Sequence, residues 1–232
     1  MKNSINCPNC NSLNNFYNFN CSSCSSLLRE RVVNIDLWST IWRIIEIPSK
    51  TFAKIIFAEN KNYTFILALL FSIKLTFNSF FLKSLIGENI DYRNYLELNF
   101  IIGISTFFIS FIIIALVQKL ILKYFGINTR FKDNFAAFIY TCIPSLLALL
   151  VFFPVEYALF GKYWLFFNPT PYLIKPTAAY VFMGMEFIIL IWMFILFRLL
   201  GLVQSKNKVY SLIFATVVSV SLTIISFFIP YL

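Results

Sequence analysis

The chain has 232 residues, of which 59% are hydrophobic, 29 are Phe and only 12% are charged. A soluble domain carries roughly 25% charged residues, about twice this share, so an ordinary soluble core is excluded and uncharged runs of near-bilayer length point to a polytopic membrane protein. The net charge of +9 is spread over the loops with no separate aromatic-interleaved basic patch, so nucleic acid is not an expected partner.

Residues 1–28 are too short and polar to build a core. They are rich in Asn, Ser and Cys and have no apolar signal-like run, so insertion is expected to start from an internal span. Cys7, Cys10, Cys21 and Cys24 form two CxxC pairs separated by ten residues. Each pair can wrap one side of a tetrahedral ion, and four thiolates suit a closed, structural Zn²⁺ site. Metal binding would then supply most of the folding energy of so short a segment. Two disulfides are the alternative, disfavoured where thiols stay reduced, and rubredoxin-like iron is another. The stretch resembles the short zinc ribbons that open many prokaryotic membrane and regulatory proteins. Those carry Gly after the second and fourth cysteines; here Asn11 and Ser25 stand there, and Asn accepts a left-handed backbone more readily than Ser.

Residues 29–62 read as a linker followed by an amphipathic segment. Arg29, Glu30 and Arg31 form a charged run. Trp38, Ile41, Trp42 and Ile45 then recur at helical spacing, with Ser39, Arg43 and Glu46 elsewhere on the wheel. Trp38, Trp42 and Arg43 suit a helix lying in the headgroup plane; packing on the cytosolic ends of a helix bundle is the other reading. Pro48 interrupts the pattern before a second run containing Phe52, Ile55 and Ile56.

Residues 63–232 contain five apolar segments of spanning length, Tyr63–Leu82, Leu98–Val117, Phe135–Phe153, Ala179–Leu200 and Val209–Tyr231. Pro144 is expected to sit inside the third span as a tolerated helix residue, and Cys142 to be a small packing residue. Small residues recur at Ala68, Ser72 and Thr76, and at Ser211, Ala215, Ser219 and Thr223. Such stripes suit close helix packing within one bundle or, alternatively, a homo-oligomer face. Fourteen Lys and Arg residues fall on the side of the amino terminus and four on the other, with Lys74 inside a span. This asymmetry predicts a cytosolic amino terminus and an external or lumenal carboxyl terminus. The fold expected is therefore an all-α polytopic membrane protein of five helices, preceded by a zinc-ribbon knuckle and an interfacial helix.

Two charges lie deep within spans. Lys74 is about eight residues from the outer end of its helix, or ~12 Å, and Glu186 about seven from the end of its own, or ~10 Å. At matching depth they suggest a buried ion pair, with Asn78 one turn from Lys74 on the same face. Snorkelling by Lys74 and a substrate or proton path are the alternatives. The other acids, among them Glu88, Asp91, Glu97 and Glu156, read as solvated loop or interface charges.

Pro48, Phe52, Ile55 and Ile56 precede the first span. After the second come Gly126, a polar stretch with Phe131 and Lys132, and an apolar helix with Tyr140 and Pro144. This pattern, over approximately residues 42–231, is similar to the Yip family of Ypt/Rab-interacting membrane proteins. The resemblance implies five spans, a cytosolic amino terminus and a non-enzymatic role; the zinc ribbon looks more like prokaryotic members, so the bacterial cytoplasmic membrane is the expected location.

No histidine is present, and no nucleophile, Walker or metalloprotease motif appears. No enzyme is therefore expected. The leading functional expectation is a membrane scaffold or adaptor that meets the lipid bilayer and a protein partner on its cytosolic face. The alternative is a small transporter or channel using Lys74 and Glu186.

Overall fold

The computed structural model describes residues 4–28, 32–85, 96–166 and 169–228. Lys2, the linker charges Arg29, Glu30 and Arg31, the first-loop residues Glu88, Asp91 and Arg93, and the last residues of the fifth span lie outside the described residues.

Two short strands, β1 (Ser4–Asn6) and β2 (Leu13–Asn15), pair antiparallel, with Ser4 opposite Asn15 and Asn6 opposite Leu13. Helix α1 (Leu37–Glu46) starts where the Asp36 carboxylate accepts from the Ser39 N–H at 3.3 Å, an N-cap that satisfies one orphan donor. Helix α2 (Pro48–Phe57) begins on a proline, whose missing N–H costs nothing in a first turn. Then follow α3 (Thr64–Leu85), α4 (Leu96–Tyr124), α5 (Phe131–Thr141), α6 (Ile143–Phe160), the short α7 (Tyr163–Phe166) and α8 (Pro171–Ile174), α9 (Pro176–Ser205) and α10 (Lys208–Phe228).

Five stretches are long and apolar enough to cross a membrane: Thr64–Lys83, Glu97–Tyr124, Phe131–Phe160, Pro176–Ser205 and Lys208–Phe228. The chain is a multi-pass membrane protein of all-α build. In the most apolar 18 residues of the second, fourth and fifth stretches a third or less are buried, whereas in those of the third 72% are buried. The exposed side chains there, such as Ile109, Ile113, Leu120, Ile188 and Val217, are apolar, as a lipid-facing surface requires.

The third span departs from the sequence expectation. Pro144 does not sit inside a continuous helix. The chain breaks at Cys142, and α6 restarts with Pro144 in its first turn. The proline thereby takes the one helical position where its missing donor is not missed. The proline inside α6 is Pro154.

Contacts group the chain into two compact units. The first comprises Met1–Thr64, Ile112–Thr141 and Leu196–Ala215. Within it α2 packs on α1 and α5. Phe52, Ile55 and Ile56 are buried, and Phe138 stacks on Phe197 at 5.4 Å. Lys61 fastens this packing. Its ammonium donates to the carbonyls of Ile55, Ile56 and Ala58, which α2 leaves without helical partners, and pairs with Asp133 at 3.1 Å.

The second unit comprises Phe65–Phe111, Cys142–Ile195 and Thr216–Leu232. Its core is aromatic, with Phe80, Phe81, Phe152, Phe160, Trp164 and Phe182 buried together. Ala68, Ser72 and Thr76 are all buried, and a methyl added to Gly103 would come within 2.5 Å of Thr76. In this unit the small residues of α3 serve close approach to α4. In the fifth span Ser211 and Ala215 are buried, Ser219 is partly exposed and Thr223 is exposed.

Candidate functional site

The amino-terminal cysteines converge. The sulfurs of Cys7, Cys10, Cys21 and Cys24 all lie within 4.8 Å of one another and could hold a metal ion. All four are free thiols, with Cys7 and Cys24 3.6 Å apart and Cys10 and Cys21 3.6 Å apart, far beyond the ~2.05 Å of a disulfide.

Each knuckle is built the same way, fourteen residues apart. The Cys7 N–H donates to Ser12 O at 3.0 Å and the Asn11 N–H returns to Cys7 O at 3.0 Å; the Cys21 N–H donates to Ser26 O at 2.9 Å and the Ser25 N–H returns to Cys21 O at 3.0 Å. Asn6 pairs with Leu13, and Asn20 with Leu27. The turn closes through a left-handed residue in both cases, Asn11 at φ 56° and Ser25 at φ 57°. These are the positions where the resembled ribbons carry Gly, for the reason that Gly adopts this backbone without strain.

The serines link the halves. Ser12 Oγ lies 3.1 Å from Cys10 Sγ and 3.0 Å from Cys21 Sγ; Ser26 Oγ lies 3.1 Å from Cys7 Sγ and 3.0 Å from Cys24 Sγ. The Ser12 hydroxyl, with the backbone amides of Cys24 and Ser23, holds the Cys21 thiol down to about 5. The Ser26 hydroxyl lowers Cys7 against the opposing effect of burial. Cys10 is raised: the downward pull of Ser12 is outweighed by neighbouring sulfurs and burial. The thiolate, the form that binds metal, is thus favoured at Cys21.

The ribbon is seated on its own unit. Phe16 packs edge-on against Phe57 at 4.9 Å, and Phe19 meets the same ring at 6.5 Å. Lys206 donates to Ser4 O at 3.1 Å and lies over the Phe16 ring. A cavity of about 250 Å³ remains beside it, lined by Tyr17, Phe19, Phe57, Arg130 and Asp133 among others. Leu13 and Leu27, equivalent in the two knuckles, are exposed.

On α1 the face bearing Trp38 (79% exposed), Trp42 (63%) and Ile45 points away from the protein, while Thr40 and Ile44 are buried. Arg43 is exposed beside it, and the Trp42 indole donates to Glu46 at 2.8 Å.

In the second unit the structure brings Lys74 of α3 against Glu186 of α9 as a hydrogen-bonded ion pair, with Asn78 donating to the other Glu186 oxygen at 3.0 Å. Lys74 is 2% exposed, so it does not snorkel.

Three features went unread in the sequence. Glu156 is a correction: it is not a solvated interface charge but is 2% exposed, because it lies one turn from both Phe152 and Phe160 on the buried face of α6. That spacing was the available signal. Lys61 counted only as a topology charge, yet it caps α2 and meets Asp133. In the first unit a buried amide chain runs from Gln118 to Gln204, on to Asn134 at 3.1 Å and then to Thr129 at 2.8 Å. Polar side chains isolated in apolar runs were its only trace.

The fold and site together define a multi-pass membrane protein of five candidate spans that carries a four-cysteine cluster able to hold a metal. No protein-family model, curated protein or solved structure matches the chain.

Proposed function

We propose that the chain is a non-enzymatic membrane adaptor of Yip-like build, whose amino-terminal zinc ribbon receives a protein partner on the cytosolic side. The observation that carries this reading is the seating of the ribbon. Phe16, Phe19 and Ser4 hold it against α2 and Lys206, so Leu13 and Leu27 are offered to the outside from a fixed mount rather than a loose tether. Contiguous exposed apolar patches mark protein-binding surfaces, and Leu13 and Leu27 would anchor one here.

Zinc fits the cluster. Four thiolates at ~2.3 Å from a tetrahedral ion stand about 3.8 Å apart, close to the 3.6 Å separations of Cys7 from Cys24 and of Cys10 from Cys21. With four protein ligands the ion has no open position, so its role is to hold the knuckles together. The Trp38–Trp42 face with Arg43 matches a helix that lies in the headgroup layer of the membrane. The loop charges orient the ribbon toward the cytosol.

Photo-crosslinking in native membranes tests the reading. A crosslinker at Leu13 or Leu27 should capture a defined protein, one at Trp38 should capture lipid, and one at Ile113 serves as the lipid-facing control. Protein adducts at Leu13 and Leu27 no stronger than at Ile113 would refute the adaptor. A second reading, a small transporter or channel, draws on one observation, the buried cluster of Lys74, Glu186 and Asn78.

A further inference from the structure

Three ionisable side chains of the second unit lie on three elements within electrostatic reach of one another, Lys74 of α3 and Glu186 of α9 as an ion pair and Glu156 of α6 beside them. Their charges do not balance. Among the described residues Lys74 is the cation that acts on Glu156, and its ion pair goes to Glu186. Asn78 takes the remaining Glu186 oxygen. Glu156 therefore has no ion pair among the described residues, yet it is 98% removed from the surface, between Phe152 and Phe160 of the aromatic core. An ionised carboxylate placed there would face a low dielectric, the like charge of Glu186 and a cation already committed elsewhere. Groups in that position take up a proton rather than stay charged.

We infer that Lys74, Glu186 and Glu156 form a proton-binding site within the membrane domain, with the proton on a carboxylate oxygen of Glu156. Loading transfers one proton from a hydronium ion of the aqueous phase to that oxygen: an O–H bond of the hydronium breaks, one forms on the carboxylate, and water is left. Lys74 remains an ammonium paired with Glu186, so the loaded cluster is neutral and the empty one carries a single negative charge. This site does not depend on the adaptor reading, and it stands whether or not the ribbon binds a partner.

The charge count makes the test quantitative. The number of protonated carboxyls should equal the carboxyl groups of the cluster less its ammonium groups. Infrared spectroscopy of the full chain in lipid bilayers at neutral pH separates the C=O stretch of a protonated carboxyl from the carboxylate bands. Wild type should show one such band, sensitive to deuterium exchange. Glu156→Gln, which copies the shape of the protonated acid, should lose it. Glu186→Gln should lose it too, because Lys74 is then released to pair with an ionised Glu156. Lys74→Met should double it. Absence of the band in wild type, its survival in Glu156→Gln, or its displacement by sodium would each overturn the proposal. If Lys74→Met fails to fold, the two glutamine variants still decide the matter.

Discussion

Asn11 and Ser25 occupy a backbone conformation that costs a residue with a Cβ roughly 1–2 kcal/mol, and both do so one residue after a metal-cluster cysteine. Ser gains less than Asn from local hydrogen bonding in that conformation, so the second knuckle carries more of the strain. Ser25→Gly is expected to stabilise the ribbon by about 0.5–1 kcal/mol and Asn11→Gly by less, since the added freedom of Gly in the unfolded chain offsets part of the gain. Thermal unfolding of the metal-loaded protein in detergent, followed by metal release to a chelating dye, measures both. Cys21 resists protonation. Its thiol is held down to about 5 from an ordinary 9.0, so the stabilisation from its thiolate is complete above about pH 9 and is lost as pH falls toward 5. Metal retention should fall as pH falls, because protons compete with the ion for the cysteine sulfurs. Ser12→Ala removes the hydroxyl that does most of the lowering and should move the loss to higher pH. The cysteines and the Lys74–Glu186–Asn78 group were legible in the sequence, because CxxC spacing and charge within an apolar run are signals in themselves. Glu156 was not, since its place near a helix end looks solvated until the Phe152–Phe160 face is seen to be buried.

Helices were legible wherever hydropathy alone decides, and less so where packing does. The five spans follow from length and apolarity, but the break at Cys142 depends on how α6 restarts around Pro144. The amphipathic stretch also divided. Its first half, α1, leaves its aromatic face open, whereas α2 buries Phe52, Ile55 and Ile56. Two glycines of α9 separate packing from propensity. A methyl added to Gly201 would lie 2.9 Å from the Ser211 backbone, which cannot yield as a side chain tip can; around Gly184 nothing comes within 4 Å. Gly201→Ala should therefore destabilise by about 1–3 kcal/mol. Gly184→Ala should be neutral or stabilise by up to about 1 kcal/mol through helix propensity. Denaturation in mixed micelles compares them, and equal effects would mean that α9 and α10 do not approach closely at Gly201.

At the scale of the whole chain, the proposed topology makes a direct prediction. Reporters fused after Asn62, Arg93, Arg130, Lys175 and Leu232 should alternate in location, starting from the cytosol. Two neighbouring reporters on one side would remove a span. The division into two units was not legible in the sequence, because it cuts through α4, α9 and α10 rather than at composition boundaries. The fourteen-residue kinship of the knuckles also escaped, since it is written in Cys, Ser and Leu, residues too common here to announce a repeat.

That kinship makes parts of the ribbon interchangeable. Copying the first knuckle into the second as Ser23→Asn and Ser25→Asn should preserve a full complement of metal, because Asn9 and Asn11 already do those jobs fourteen residues earlier. Copying Pro8 as Ser22→Pro should not. The Ser22 N–H donates to Asn14 Oδ1 at 2.8 Å, and Asn14 in turn reaches Cys21 Sγ at 3.4 Å. Proline has no N–H to give. The residue fourteen after Asn14 is Leu28, so this bond has no counterpart in the other half. The ribbon is thus a near-repeat with one locked corner, and transplanting knuckles between its halves would show which half carries the lock.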